Sequence, residues 1–249
     1  MMNSDPLHAI EQAAFDAWPA LEESVHEGWR LRFAHGYTKR ANSANAIGSM
    51  PDLGAPQIAT IESFYRDRGL RPIIRLASFC TSQAADDALA DRGYRYADMS
   101  LVMTMPLASD PMTKGTRFGS EAMTDIAAWL AEYQSISGGP LEAPPAHLQM
   151  LRAIRGECRF LVIRSAGRSV CCGLAVKSGE QLGLFEIATR TDSRGQGLAT
   201  RLCAELLDWG ASRGARSAFL QVVAANTNAV HLYEKLGFRR RYHYWYRIA

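Results

Sequence analysis

Arg194-Gly195-Gln196-Gly197-Leu198-Ala199 follows an apolar run, Gly183-Leu184-Phe185-Glu186-Ile187-Ala188-Thr189, and opens a helix-periodic segment that ends near Ser212. A strand that turns through glycines into a helix presents a row of free backbone N–H groups. The positive end of the helix dipole stands behind them, and together they make an anion site. Gly195 and Gly197 have no Cβ to hold a phosphate away from the backbone, and both tolerate positive φ. The stretch predicts an α/β protein that binds a phosphate or pyrophosphate at this turn.

The rest of the chain sets bounds on that reading. Its 249 residues suffice for one large domain or two of ordinary size. It is 47% hydrophobic and 21% charged, as a soluble globular protein is. A net charge of +3 is too small to argue for nucleic acid or a membrane surface. Arg239-Arg240-Arg241 reads as the solvated start of a strand. Cys80, Cys158, Cys171, Cys172 and Cys203 are odd in number and scattered, the pattern of reduced thiols in a cytoplasmic protein. Cys171 and Cys172 would point to opposite faces of a strand, and the six histidines add no ligand spacing, so no metal is expected. The amphipathic start, with Asp5, Glu11 and Asp16, reads neither as a signal peptide nor as a membrane span.

A stretch rich in proline and small polar residues, 106–116, divides the chain into 1–105 and 117–249 as a domain linker would. In the second part, Met123, Ile126, Ala127, Leu130 and Tyr133 predict a helix over 121–136. Residues 159–163 and 169–176 read as a hairpin around Ala166-Gly167. After the strand 183–189 come a helix over 197–212 and a buried strand, 218–223. A helix capped by Asn226 and ended by Gly237 follows, then an aromatic strand from Tyr242 to Ile248. The first part repeats this order. Gly28 and Gly69 lie 145 residues before Gly173 and Gly214, and Gly93 lies 144 before Gly237, which argues for a duplicated unit. The copy of the glycine loop falls on Ser49-Met50-Pro51-Asp52-Leu53-Gly54. Pro51 has no N–H to donate and Asp52 repels an anion, so the first part keeps a fold without its phosphate cradle.

Neither the P-loop pattern nor Gly-x-Gly-x-x-Gly is present. Arg194-x-x-Gly197-x-Ala199 is, and Asn226-x-x-Ala229-x-x-x-Tyr233-Glu234-Lys235-Leu236-Gly237-Phe238 follows it. In these elements the chain resembles the GNAT superfamily of N-acetyltransferases, over roughly 117–249 and, as a degenerate copy, over 20–105. The resemblance implies two tandem GNAT-like α/β domains, each a mixed twisted sheet flanked by helices. It implies acetyl-CoA as co-substrate. Backbone groups of Ile187, Ala188 and Thr189 would pair with its pantetheine arm, and those of Arg194, Gly195, Gln196, Gly197, Leu198, Ala199 and Thr200 would hold its pyrophosphate. Asn226 would lie near the pantetheine and Tyr233 near the thioester sulfur, where a phenol can serve the departing thiol as an acid.

Each assignment has a structural counterpart. Tyr233 shares the apolar stripe of its helix, Asn226 is a good N-cap, and Arg194 is equally a surface arginine. Glu186 lies on the cofactor strand, but strand parity leaves its face undecided; Asp98, Glu142 and His231 have no better claim, so no general base is assigned. Tyr37–Asn45 reads as an unusually polar strand, either an exposed edge or one whose Arg40 and Asn42 face the second part at an acceptor pocket. The expected activity is transfer of acetyl to a primary amine through a ternary complex, the acceptor being a small molecule. A protein N-terminus or lysine as acceptor, and a non-catalytic acyl-CoA-binding regulator, are the alternatives. Tyr242, Tyr244, Trp245 and Tyr246 would pack on the other half or on a second copy in a homodimer.

Overall fold

Two runs that share the order β-β-β-α-β-α-β stand one after the other in a computed structural model that describes residues 6–47, 53–108, 119–139 and 144–249. The first run is α1 (Pro6–Ala17), β1 (Glu22–His26), β2 (Trp29–Phe33), β3 (Ala44–Ala46), α2 (Ala55–Arg66), β4 (Ile73–Ala77), α3 (Gln83–Asp91) and β5 (Arg95–Pro106). The second starts with β6 (Ser120–Met123), α4 (Ile126–Ser137) and α5 (Pro145–Ala153). It continues through β7 (Glu157–Ser165), β8 (Arg168–Ser178), β9 (Gln181–Thr189), α6 (Leu198–Ser212), β10 (Ser217–Val223), α7 (Thr227–Leu236) and β11 (Arg239–Ile248).

The repeat is visible in local chemistry. The β1–β2 and β7–β8 hairpins each turn on two residues of positive φ, Glu27-Gly28 and Ala166-Gly167, the geometry that matches the twist of paired strands. Helices α2 and α6 end alike, with Leu70 N–H bonded to Tyr65 O and Ala215 N–H to Gly210 O. So do α3 and α7, through Tyr94 N–H to Leu89 O and Phe238 N–H to Tyr233 O; in each case a glycine of positive φ supplies the turn. Ser82 caps α3 as Asn226 caps α7. One landmark needs correction: the structural counterpart of Gly28 is Gly167, whereas Gly173 lies inside β8. There a Cβ would stand 2.5 Å from Ile187 Cδ1 and 2.7 Å from Leu202 Cδ2.

Among the described residues the strands form one sheet, ordered β1-β2-β3-β4-β11-β5-β10-β9-β8-β7-β6. The last strand of each run sits across the middle: β5 pairs with β10, and β11 pairs with β4. The aromatics of β11 therefore pack on the first run. Tyr242 donates to Glu11 on α1, and Arg75 of β4 lies 3.7 Å from the centre of the Tyr244 ring. Glu11 also takes two hydrogen bonds from Arg75, at 2.5 and 2.8 Å, so one buried carboxylate ties α1 to both runs. One face of the sheet carries α1, α4 and α5 over a core that includes Trp18, Trp129, Phe185 and Tyr244. The other carries α6 and α7 in the second run, and α2 and α3 in the first.

Three sequence expectations change here. The helix expected from 121 is preceded by β6, which pairs with β7, and it starts only after Asp125, whose carboxylate caps Ala127 and Ala128 N–H. The polar stretch 37–45 is mainly a connection containing one 3-10 turn, Lys39–Ala41, because only Ala44–Ala46 pairs as β3. Of the expected linker, Pro106 still belongs to β5, and Leu107 N–H bonds to Arg216 O at 2.8 Å. Residues 109–116, and 49–52 of the degenerate glycine loop, lie outside the described residues; Gly54 stands at the N-cap of α2.

Candidate active site

The parallel pairing of β9 with β10 runs from Gln181–Ser217 to Leu184–Leu220 and stops. Pairing of β9 with β8 continues to Thr189. The β10-facing edge of 185–189 is left without a strand, so Ile187, Ala188 and Thr189 border an open V whose backbone groups suit an extended ligand. Beyond Thr189 the chain makes a 3-10 turn, Thr191–Ser193, and enters α6 through Gly195 at φ 76° and Gly197 at φ 72°. A Cβ on either glycine would meet nothing within 4 Å. The first helical bond of α6 runs from Arg201 N–H to Gly197 O, so the amides of Leu198, Ala199 and Thr200 precede it and have no acceptor inside the helix. These open donors fit a phosphate-bearing group. Arg194 is exposed and its Nε leans on Thr189 O at 3.4 Å.

Tyr233 of α7 stands on the α6 side of the sheet. Burial pushes its phenol well above the ordinary range, and the neighbouring thiols of Cys203 and Cys171 push the same way. Cys171 pairs with Thr189, which sets Tyr233 beside the open end of β9. Asn226 is exposed at the mouth of α7, its Oδ1 accepting the Ala229 N–H at 3.2 Å. Its role as an N-cap is thus observed.

The opposite face carries what the sequence left unassigned. Between the pairs Cys172–Ala188 and Leu174–Phe185, β9 has two residues where β8 has only Gly173. Glu186 takes φ 51° in this bulge. A bulge breaks the alternation of a strand, so Phe185, Glu186 and Ala188 all serve the α1/α4/α5 face while Ile187 packs on the other. Glu186 meets His147 of α5, Nε2 lying 2.9 Å from Oε1. On the other side of the ring, the Tyr37 hydroxyl lies 2.7 Å from His147 Nδ1. Trp18, Tyr37 and Tyr133 surround the imidazole, which is fully buried.

Arg40 does reach the second run: it lies 3.5 Å from Gln221 Oε1 of β10 and over the Trp18 ring. Asn42 does not. Buried at 3% exposure, it accepts from Ala34 and Gly36 N–H and donates to Tyr37 and Thr38 carbonyls, bracing the connection that presents Tyr37 and Arg40. His147 and Gln221 were not singled out by any motif, since what qualifies them is contact across the two runs.

Residues 5–247 match a family model described as "Probable histone acetyltransferase Rv0428c C-terminal". An uncharacterized N-acetyltransferase of Bacillus subtilis, YobR, is 30% identical over 98% of this chain and 99% of its own length. A GCN5-related N-acetyltransferase from Kribbella flavida shares the fold at TM-score 0.69 and 14% identity, over 97% of this chain and 94% of that one. A tandem GNAT protein from the clavulanic acid pathway aligns at TM-score 0.62 and 13% identity, over 89% and 78%. The glycine loop, the open V beside it and these likenesses place the chain in the GNAT family of N-acetyltransferases, within the group of that family model.

Proposed function

We propose that this acyltransferase moves acetyl from acetyl-CoA to the primary amine of a small molecule, within a ternary complex. The observation that carries the reading is the open V between β9 and β10, continuous with the free amides at the start of α6. The backbone of Ile187, Ala188 and Thr189 would hold the pantetheine arm; that of Arg194 to Thr200 would hold the pyrophosphate. Bound there, acetyl-CoA supplies an acetyl thioester.

Tyr233 then serves the sulfur as a protonated hydrogen-bond donor. Its raised phenol makes outright proton loss unfavourable, and a thiol of pKa about 8.5 departs readily enough as the anion when so stabilised. The acceptor would come from the other face. An alkylamine of pKa about 10.4 arrives mostly protonated, and Glu186 is the carboxylate placed to take that proton. Its side chain is only 6% exposed, under the connection that carries Tyr37 and Arg40, a confined setting that suits a small acceptor better than a protein chain. Cys80, Cys158 and Cys171 are pushed up to about 11 by burial, which argues against a thiol intermediate. We take 1–105 and 117–249 as the two units of the duplication and 106–116 as their linker, the units being joined by exchange of their last strands.

Free-thiol release from acetyl-CoA, measured against a panel of alkyl and arylalkyl amines and of peptides, tests the proposal. Turnover on at least one small amine is expected. Tight CoA binding without turnover on any acceptor would favour a regulator, and turnover on peptides alone would move the acceptor class.

A further inference from the structure

Glu186, His147 and Tyr37 come from a strand bulge, a helix and a connection of the other run, yet they meet in a line. The Tyr37 hydroxyl carries one proton, and burial with Glu186 nearby keeps it there by pushing the phenol well above its ordinary range. Its partner is His147 Nδ1, at 2.7 Å. A phenol that donates to Nδ1 leaves that nitrogen as the acceptor, so the ring proton belongs on Nε2. Nε2 in turn stands 2.9 Å from Glu186 Oε1, off the axis of a straight hydrogen bond. Glu186 Oε2 is buried with no hydrogen-bond partner. Buried polar atoms are rarely left so, and sites without ligand hold contacts that tighten only when substrate is bound.

We propose that Tyr37 and His147 are positioning residues for Glu186: Tyr37 fixes the imidazole as the Nε2–H tautomer, which holds Oε1 and leaves Oε2 to the acceptor amine. The inference rests on the reading of Glu186 given above and extends it, because the first run then takes part in catalysis. The other titratable groups that feel Glu186 are Tyr133 of α4 and Cys172 of β8, and Arg40 acts on Tyr37 and Tyr133 beside it. Tyr133 and Cys172 are themselves pushed up by burial and stay neutral, so neither adds a charge beside the carboxylate. In the step served, the ammonium gives one proton to Glu186, the amine nitrogen bonds to the acetyl carbon, and the carbon–sulfur bond breaks. The second nitrogen proton ends on the thiol, so each turnover releases one proton to solvent.

The test has two arms on the full chain. In protein labelled with 15N-histidine, long-range proton–nitrogen spectra at neutral pH should show His147 as the Nε2–H tautomer, and Tyr37→Phe should lose that preference. With phenethylamine as acceptor probe, Tyr37→Phe should lower kcat by about tenfold while the amine KM stays within about twofold, since a base that is no longer held in place loses part of its effect on the chemical step. His147→Ala should do the same, and His147→Gln, which keeps an N–H donor, should restore kcat. Thermal melting of each variant separates packing damage from this effect. An Nδ1–H tautomer or an imidazolium in the wild type overturns the proposal. So does an unchanged kcat in an active, folded Tyr37→Phe. If wild type turns over no amine, the reading of Glu186 as base fails by itself, and the tautomer still decides the Tyr37–His147 arrangement.

Discussion

Glu11→Gln is the sharpest test of how the two runs are joined. The carboxylate holds both outer nitrogens of Arg75 and accepts from Tyr242, and Glu11 and Arg75 are 8% and 4% exposed. The amide keeps the shape but removes the charge, leaving a buried guanidinium uncompensated. Breaking a buried pair in this way costs about 3–5 kcal/mol. For a chain of this size, each kcal/mol moves Tm by roughly 2–4 °C, so a fall of about 6–20 °C is expected in a thermal melt. Replacing both partners, as Glu11→Leu with Arg75→Met, should cost less than the single change, because no lone charge remains. The pH dependence has a definite sign. Burial alone would raise the Glu11 carboxyl, but the charge and hydrogen bonds of Arg75, with the Tyr242 hydrogen bond, hold it below its usual range. Its contribution is therefore present above the unfolded value of about 4.3 and is lost as pH falls through the lower native value. Glu11→Gln should lack that acid slope. A fall in Tm under about 2 °C, or a double variant worse than the single, would refute the reasoning.

At the glycine loop, Gly197→Ala puts a side chain at φ 72°, which costs about 1–2 kcal/mol in the left-handed region, and tilts the first amides of α6. CoA affinity measured by calorimetry should fall by roughly tenfold or more, the effect of one weakened charge-assisted hydrogen bond. Tyr233→Phe should lower kcat by about tenfold or more while leaving CoA affinity within about twofold, because the hydroxyl acts on the sulfur and the ring stays packed. Weakened CoA binding with kcat unchanged would assign Tyr233 to binding alone.

Local chemistry was readable in the sequence. The cap at Asn226, the glycines at 69, 93, 214 and 237, and the glycine loop are set by residues within one turn of each other. What depends on distant pairing was not. Nothing in the aromatic pattern of β11 says that it inserts between β4 and β5, since its partners lie more than 130 residues away in sequence. The facing of Glu186 was undecidable from alternation because a bulge opposite Gly173 suspends alternation there. Gly173 is the trace it left: a glycine inside an apolar strand marks a close approach or a bulge, here the space filled by Ile187 and Leu202. His147 carried no signal, for its role comes from Tyr37, 110 residues earlier, and Glu186 on a separate strand.

The central claim is that a single phosphate-binding groove, between β9 and β10, takes CoA. Titration calorimetry of CoA into the full chain tests it most directly. The account predicts one CoA bound per chain, with binding weakened by Gly197→Ala. No binding, two CoA per chain, or one CoA indifferent to Gly197 would contradict it.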